Sequence, residues 1–171
     1  QNPDAFIGIT YPPDTILASK QSKEIGFNPK IFYASVGTAF PVYRSVIGAG
    51  IEGVSGMGSW NPKTSAGAKA YFDAHKAKFG KEPDRWASGH AWAAMEVLTQ
   101  AVAKAGLDRK ALRDYIAKNE HPTIIGKVRF DGSENVATPG SVGQWQNGES
   151  EVVWPQPMAT SKLQTPKPAW A

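Results

Sequence analysis

The sequence contains no cysteine among its 171 residues and only three histidines. The absence of cysteine excludes disulfide bonds, thiolate catalysis and cysteine-ligated metals. No apolar run is long enough to span a bilayer. No basic cluster is interleaved with aromatic residues, which argues against a nucleic-acid partner. No signal peptide is visible, although a fragment or a mature chain would lack one in any case.

The composition that remains is that of a folded protein. Hydrophobic residues make up 41% of the chain and charged residues 20%, which is sufficient for a packed core. The length fits one ordinary domain or two small lobes. The net charge of +4 is spread over lysines in several amphipathic segments.

The first sixty residues alternate between strands and helices. Residues 5–10 and 30–35 are short apolar segments typical of buried strands, and a third strand is expected over residues 51–57. Between the first two strands, a helix opens at Pro13 and Asp14 and ends at Gly26. A short helix is predicted over residues 41–47. This order predicts a parallel pair of strands with a right-handed crossover.

The middle of the chain predicts three consecutive amphipathic helices. They begin near Thr64 or Ser65, at Asp84 and at Asp108, and the first two end at Gly80 and Gly106. No strand lies between these helices, so their apolar stripes need a sheet or other helices for cover. Stripe residues that we expect to be covered by another chain, a swapped partner or a missing part of the protein are Phe72, Phe79, Met95 and Leu98. We assign Trp92 and Trp145 to packing.

The end of the chain predicts strands again. Residues 123–130 form one expected strand, closed by Asp131 and Gly132. Residues 142–146 and 151–154 flank Asn147-Gly148, a strong signal for a two-residue hairpin. The proline-rich tail that follows is expected to be extended and mostly irregular.

Several short motifs follow one another along the chain in an order that is typical of one protein family. They are Asn2-Pro3-Asp4-Ala5-Phe6 before Tyr11-Pro12, then Gly53-Val54-Ser55-Gly56, Trp92-Ala93-Ala94, Lys104-Ala105-Gly106, residues 126–132 (GKVRFDG) and residues 144–148 (QWQNG). In this order and spacing, the chain resembles the C-terminal half of a type I periplasmic solute-binding protein. The most similar group is the branched-chain amino-acid-binding family of ABC importers.

The resemblance implies a fold and a domain plan. The fold class is α/β, as part of a two-lobed fold with parallel-sheet lobes that is truncated on its N-terminal side. Residues 1–60 then belong to lobe two, residues 61–140 are the returning helices and crossover of lobe one, and residues 141–157 return to lobe two. Residues 158–171 form the tail. The helices without strands follow from this plan, because their sheet belongs to the missing half.

Tyr11 is the first candidate for a ligand contact. It follows a predicted strand, and ligands of open α/β sheets bind beyond the carboxyl ends of the strands. The resemblance places it where the family carries a lobe-two ligand tyrosine. The alternative is an ordinary turn tyrosine before Pro12.

Val36 is the second informative position. By resemblance it stands where amino-acid-binding members carry an acid that pairs with the ligand's ammonium group. A valine cannot do this, and an unpaired ammonium in a closed cleft costs several kcal/mol. The departure therefore disfavours an amino-acid ligand, unless the register slips by one residue or an acid from the missing half takes the role.

Other candidate ligand contacts surround these two. Ser35 and Gly37 flank Val36, Phe40 follows them, and Trp60 lies at the expected crossover between lobes. Ala87 is the first of three residues with small side chains at the start of a long helix, and these leave room for a ring of the ligand. His90 lies one turn after Trp86 and is a weaker candidate.

Nothing in the sequence predicts catalysis. His75 lies on an apolar helix face and is expected in the core, and His121 is expected in a loop. Histidine and carboxylate spacings match no metal site, and no serine has a nucleophile elbow. We therefore expect no enzyme activity, no metal and no cofactor.

The expected function is solute capture for an ABC importer by hinge closure. The ligand is expected to be an aromatic or apolar carboxylate or amide, and the partners are the permease subunits of the importer membrane complex. A branched-chain amino-acid-binding protein and a ligand-sensing domain of a receptor or regulator are the alternatives. The expected location is the periplasm, or the outer surface as a membrane-anchored lipoprotein.

Overall fold

A computed structural model describes residues 3–138 and 140–171, so Asn2 of the first motif lies outside the described part. The strands are β1 (Ala5–Gly8), β2 (Ile31–Ala34), β3 (Ser55–Met57), β4 (Glu120–Thr123), β5 (Gly126–Asp131), β6 (Glu134–Asn135), β7 (Val142–Gln146) and β8 (Glu149–Trp154). The helices are α1 (Pro12–Glu24), α2 (Pro41–Ile47), α3 (Ala66–Phe79), α4 (Ala87–Ala105) and α5 (Arg109–Lys118). Short 3-10 turns cover Val36–Ala39, Gly48–Ile51 and Gln156–Met158.

Five strands form one mixed sheet in the order β1-β2-β3-β7-β8. The pair β1–β2 is parallel, as the strand–helix–strand order predicted, and β2–β3 is parallel too. Strand β7 pairs antiparallel with β3, and β8 pairs antiparallel with β7. Asn147 and Gly148, both with positive φ, connect β7 to β8 as the hairpin signal indicated. A core beneath this sheet contains Phe32, Ala34, Tyr43, Ile51, Val54 and Trp145.

A second unit is built from the three central helices and a small sheet of the order β4-β5-β6. Its separate core contains Trp60, Ala68, Ala93, Val97, Ile124, Ile125 and Val128. Residues 58–65, and on the return residues 136–138 and 140–141, connect the second unit to the large sheet. The α/β fold class is thus as predicted, with two hydrophobic cores in one chain.

Caps at the helix ends agree with the sequence signals. The side chain of Ser65 accepts a hydrogen bond from the backbone of Ala68, and that of Asp108 accepts one from Ala111. Gly80 ends α3 in the left-handed conformation. The carboxylate of Asp84 accepts from the backbone N–H groups of Trp86 and Ser88, so it stabilises the start of α4 although the regular helix begins only at Ala87.

The tail after β8 packs back on the large sheet instead of running free. Gln164 exchanges hydrogen bonds with the side chain of Gln144, and the backbone N–H of Lys167 donates to Lys30. The Trp170 indole lies edge-on to Phe32, with ring centroids 5.1 Å apart, and donates to the carbonyl of Phe27. The tail therefore completes the first core, although it carries little regular structure.

Helix α4 is the longest helix of the described chain, with 19 residues. Neither it nor any other described helix has the length and apolarity required to cross a bilayer.

Candidate ligand-binding site

The carboxyl ends of β1 and β2 are joined by a compact set of polar contacts. The backbone N–H of Thr10 donates to Oγ of Ser35 at 3.1 Å, and the backbone N–H of Gly37 donates to the Thr10 carbonyl at 3.1 Å. Tyr11 follows directly and is 61% exposed. Tyr11, Ser35, Val36 and Gly37 therefore lie at one edge of the sheet, where ligands of open α/β sheets bind.

The residues at this edge differ in burial and in their hydrogen bonds. Ser35 is buried and its hydroxyl is used on Thr10, whereas Val36 is half-buried at the start of the 3-10 turn. Gly37 is buried so closely against α1 that an added Cβ would lie 2.0 Å from Oγ1 of Thr15. Glycine is thus required at position 37 to let the turn approach the helix. The side chain of Tyr11 is exposed at this edge and that of Val36 partly so, and their contact with a ligand stays a prediction.

Phe40 connects this edge to the start of α4. Its ring lies edge-on to that of Trp86, with centroids 6.3 Å apart. Next to this pair, the backbone N–H of Arg85 donates to the carbonyl of Ala39 at 2.8 Å. These contacts join the large sheet to the helical unit. Trp86 therefore lies against Phe40, one of the predicted site residues.

Ala87 and His90 are exposed on the first turn of α4. The Nδ1 atom of His90 lies 2.8 Å from the carbonyl oxygen of Trp86, so this ring is held against its own helix. The structure places both residues beside Trp86, but it shows no contact between them and Tyr11 or Val36. Their role in binding stays a prediction.

Trp60 differs from the expectation of a ligand contact. It is 1% exposed, its Nε1–H donates to the carbonyl of Asp84 at 3.0 Å, and its ring lies against Gly89 of α4. Because the ring is enclosed in the second core, no face remains for a ligand at the strand ends. The residue is a core residue in this structure.

Two histidines and one tryptophan also differ from the sequence-based assignments. His121 is buried at 1% exposure in β4 instead of lying in a loop, and its Nε2 lies 3.1 Å from the carbonyl of Ile116. His75 is only half-buried, beside Phe79. Trp92, assigned to packing, is 48% exposed. No group of three or more His, Asp, Glu or Cys residues in the described chain could hold a metal ion.

A cavity of about 830 Å³ opens elsewhere, between the connecting segments and the β4–β5 turn. Its walls are formed by residues 59–60, 63–65, 123–127, 137–138, 154–155 and 157–160. Trp60 is the one predicted site residue among those lining residues. The cavity belongs to the junction of the two units and is separate from the strand ends.

The chain thus has two parts, a mixed sheet with Tyr11 beyond a strand end and a helical unit joined to it by connecting segments. The chain belongs to the periplasmic binding protein family, whose model matches residues 1–149. This confirms the resemblance read from the sequence.

Individual relatives agree with this assignment. The chain is 25% identical over 179 residues to the Leu/Ile/Val-binding protein homolog 7 of Brucella suis, a match that covers 96% of this chain and 44% of that protein. A leucine-binding protein LivK from Thermotoga maritima superposes with a TM-score of 0.73 at 26% identity, covering 88% of this chain and 44% of that one. The chain therefore spans less than half the length of these relatives.

A further structure shares the fold at lower identity. It is a solute-binding protein of an ABC transporter from R. palustris in complex with benzoate, with a TM-score of 0.73 and 17% identity. The superposition covers 99% of this chain and 44% of that one. At this level of identity the match shows the fold alone.

Proposed function

We propose that the protein to which this chain belongs is the extracytoplasmic solute-binding component of an ABC importer. Its ligand is a small organic carboxylate or amide with an aromatic or apolar body. The family assignment supports the binding role. The observation that carries the ligand class is the second strand end: residues 31–40 (IFYASVGTAF) contain no acidic or basic side chain. An ammonium group enclosed against this segment would lack a partner there.

The mechanism is capture between two units without chemistry. Binding proteins of this kind respond to a ligand that contacts both units and so stabilises the closed arrangement. The contacts of Arg85 with Ala39 and of Trp86 with Phe40 are the points where the helical unit meets the strand ends. An aromatic or apolar ligand body is complementary to this Phe40–Trp86 pair.

A branched-chain amino acid is the alternative ligand, as the names of the relatives suggest. It requires an acid for its ammonium group, and Asp14 in the first turn of α1 is an exposed carboxylate close in sequence to Tyr11. A sensing role in a receptor or regulator is the alternative function. A sensor would close around its ligand in the same way, but its gene would encode a DNA-binding or transmembrane segment next to the binding unit.

Isothermal titration of the full-length protein with benzoate, benzamide and leucine tests the ligand class. We expect benzoate to bind more tightly than leucine. Replacing Tyr11 by Ala should weaken benzoate binding by about 1–3 kcal/mol, because a contact at the strand end is lost. Leu17→Ala, at an exposed position of α1, is the control and should leave the affinity unchanged. Tighter binding of leucine that disappears in Asp14→Asn would establish the amino-acid alternative.

The proposed partners and location follow from the same role. A solute-binding component works outside the cytoplasmic membrane and delivers its ligand to the permease subunits. Fractionation of cells that produce the full-length protein should find it in the periplasm or attached to the outer face of the membrane. Recovery from the cytoplasm together with a regulator would instead support sensing.

We also propose that further polypeptide of the same protein covers two apolar surfaces of this chain. The first is on α4, which is apolar on opposite faces. One face buries Gly89, Ala93, Val97 and Ala101, and the other exposes Trp92, Met95 and Leu98. A helix that is apolar all round belongs in an interior.

The second surface is one face of the parallel strands. Phe6 and Phe32 turn toward the core, whereas Ile7 is 70% exposed and Ile31 39% exposed on the other face. Sheets with parallel strands are normally covered on both faces. The chain spans 44% of the length of its relatives, so the unmatched part of such a protein is large enough to cover both surfaces.

Expressing the chain with and without the remaining part of the full-length protein tests this proposal. The chain alone should bind a dye specific for exposed apolar surface, and the added part should suppress that binding and co-purify with the chain. A stable dimer of the chain alone, with the same surfaces protected, would show that a second copy takes this place.

A further inference from the structure

A line of hydroxyl groups runs beneath the candidate site. Oγ1 of Thr10 lies 2.6 Å from Oγ1 of Thr15. One helical turn on, Oγ of Ser19 donates to the carbonyl of Thr15 at 2.8 Å and lies 2.9 Å from the hydroxyl of Tyr43. Thr15, Ser19 and Tyr43 are fully or almost fully buried, and only Thr10, at the sheet edge, is half-buried.

The direction of the first hydrogen bond follows from an account of the donors. Thr15 is 0% exposed, and among residues 3–138 and 140–171 its hydroxyl has the Thr10 hydroxyl as its single hydrogen-bond partner. A buried hydroxyl that does not donate leaves its proton unsatisfied, at a cost of about 1–3 kcal/mol. Thr15 therefore donates and Thr10 accepts. The proton of Thr10 itself is then free to point away from Thr15.

Several backbone donors at this edge are missing or already used. Helix α1 begins with Pro12 and Pro13, which have no N–H. The backbone N–H of Thr15 donates to the carbonyl of Tyr11. The N–H groups of Thr10 and Gly37 are also used within the edge. None of these backbone donors is left for a ligand oxygen, whereas the hydroxyl proton of Thr10 is.

From this arrangement we infer that the Thr10 hydroxyl donates to an acceptor oxygen of the bound ligand, and that Thr15 is a positioning residue that orients it. The proposed ligand class supplies a carboxylate oxygen as that acceptor, and a hydrogen bond to a charged acceptor is stronger than one to a neutral acceptor. This inference rests on the proposed binding function and adds a specificity residue to it. Thr10 would favour a carboxylate over the matching amide.

Titration of the full-length protein and its variants with benzoate and benzamide tests the inference. Thr10→Val keeps the shape and removes the donor, and we expect benzoate affinity to fall roughly 10- to 100-fold, the scale of a hydrogen bond to a charged group. Thr10→Ser keeps the hydroxyl and should bind benzoate nearly as the wild type does. The preference for benzoate over benzamide should fall in Thr10→Val.

The role of Thr15 has its own readout. Thr15→Val should reduce the benzoate preference less than Thr10→Val does, and Thr15→Ser should restore it. A purely structural role would lower the melting temperature without changing this preference. Thermal unfolding of each variant measures that contribution separately.

The outcomes separate this inference from the proposed function. Wild-type binding of benzoate that is unchanged in Thr10→Val would overturn the inference and leave the binding function standing. If the wild type bound neither benzoate nor leucine, the proposed ligand classes and the inference would both fail.

Discussion

At the scale of single residues, we expect the residue at position 36 to set which ligand charge the second strand end favours. Val36 is half-buried and lies in a segment without acidic or basic residues. Replacing Val36 by Glu places a carboxylate where an ammonium group can pair with it. We expect the affinity ratio of benzoate to leucine to fall at least tenfold, equivalent to about 1.4 kcal/mol.

Val36→Gln is the matched control, because it has the same size as the Glu variant without the charge. It should leave the ratio close to that of the wild type. Calorimetric titration of both ligands into the three proteins makes the comparison. Equal ratios in the Glu and Gln variants would show that position 36 does not face the ligand.

Lys167 provides a residue-scale prediction on stability. Its side chain is 3% exposed, and Nζ lies 3.7 Å from the centroid of the Trp170 ring and donates to the carbonyl of Pro168. Burial lowers the pKa of Lys167 to about 8, from an ordinary value of 10.5. Between these two pH values the unfolded chain binds more protons than the folded one, so folding becomes more favourable as pH rises.

We therefore expect the wild type to gain stability relative to Lys167→Met between about pH 8 and pH 10.5. Chemical denaturation of both proteins at pH 7, 8, 9 and 10 measures the difference. Lys162→Met, at an exposed position of the same tail, is the control and should run parallel to the wild type. Parallel curves for Lys167→Met as well would show that the Lys167 ammonium group is solvated.

At the scale of elements, two helical glycines should respond to alanine in opposite directions. A Cβ on Gly89 of α4 would lie 2.5 Å from Cδ1 of Trp60, so Gly89→Ala forces the second core apart. We expect a loss of about 1–3 kcal/mol in the free energy of unfolding. A Cβ on Gly67 of α3 has its nearest contact at 3.7 Å, with Ile124. Gly67→Ala should be neutral or stabilise by up to about 1 kcal/mol, since alanine favours the helix.

Denaturant unfolding followed by the fluorescence of the tryptophans measures both changes. The Gly89 variant should also show altered emission, because Trp60 is the residue displaced. Similar stability for the two variants would mean that α4 can shift away from Trp60 without cost.

Elements with local signals could be predicted from the sequence. The helix expected over residues 41–47 is observed over those residues, and the ends of α3 and α5 follow from Ser65, Gly80 and Asp108. The parallel β1–β2 pair follows from strand–helix–strand order. These features depend on periodicity and caps, which are properties of short segments.

The β4–β5 hairpin could not be predicted in the same way. One strand was expected over residues 123–130, but the structure has two strands separated by a turn at Ile124 and Ile125. Both turn residues are buried in the second core, and two adjacent isoleucines have the composition of a strand and carry no glycine–asparagine turn signal. The same hairpin explains why His121 is buried.

At the candidate site, the sequence predicted which residues lie at the strand ends better than it predicted which side chains contact one another there. Tyr11 and Val36 follow predicted strands, which placed them at the same edge. The hydrogen bond between Thr10 and Thr15 and the contact between Phe40 and Trp86 depend on how α1 and α4 approach that edge. The burial of Trp60 in the second core could not be predicted, because a connecting segment gives no sign of which core receives its side chain.

At the scale of the whole molecule, the exposed face of α4 predicts how this chain sits in its full-length protein. Met95 is 55% exposed in this chain, between Trp92 and Leu98 on the same face. If further polypeptide covers this face, Met95→Lys buries a charge without a partner in the full-length protein. We expect a loss of about 2–4 kcal/mol in the free energy of unfolding, the range for introducing an unpaired buried charge or disrupting a core.

Ala117→Lys is the control, on the exposed side of α5 next to Lys118, and should change stability by less than about 0.5 kcal/mol. Denaturant unfolding of the full-length protein gives both values. Met95→Lys should in contrast have little effect on the stability of this chain alone, because the side chain there points to solvent. An equally small effect in the full-length protein would mean that the second apolar face of α4 remains open, and a partner outside the protein would then have to account for it.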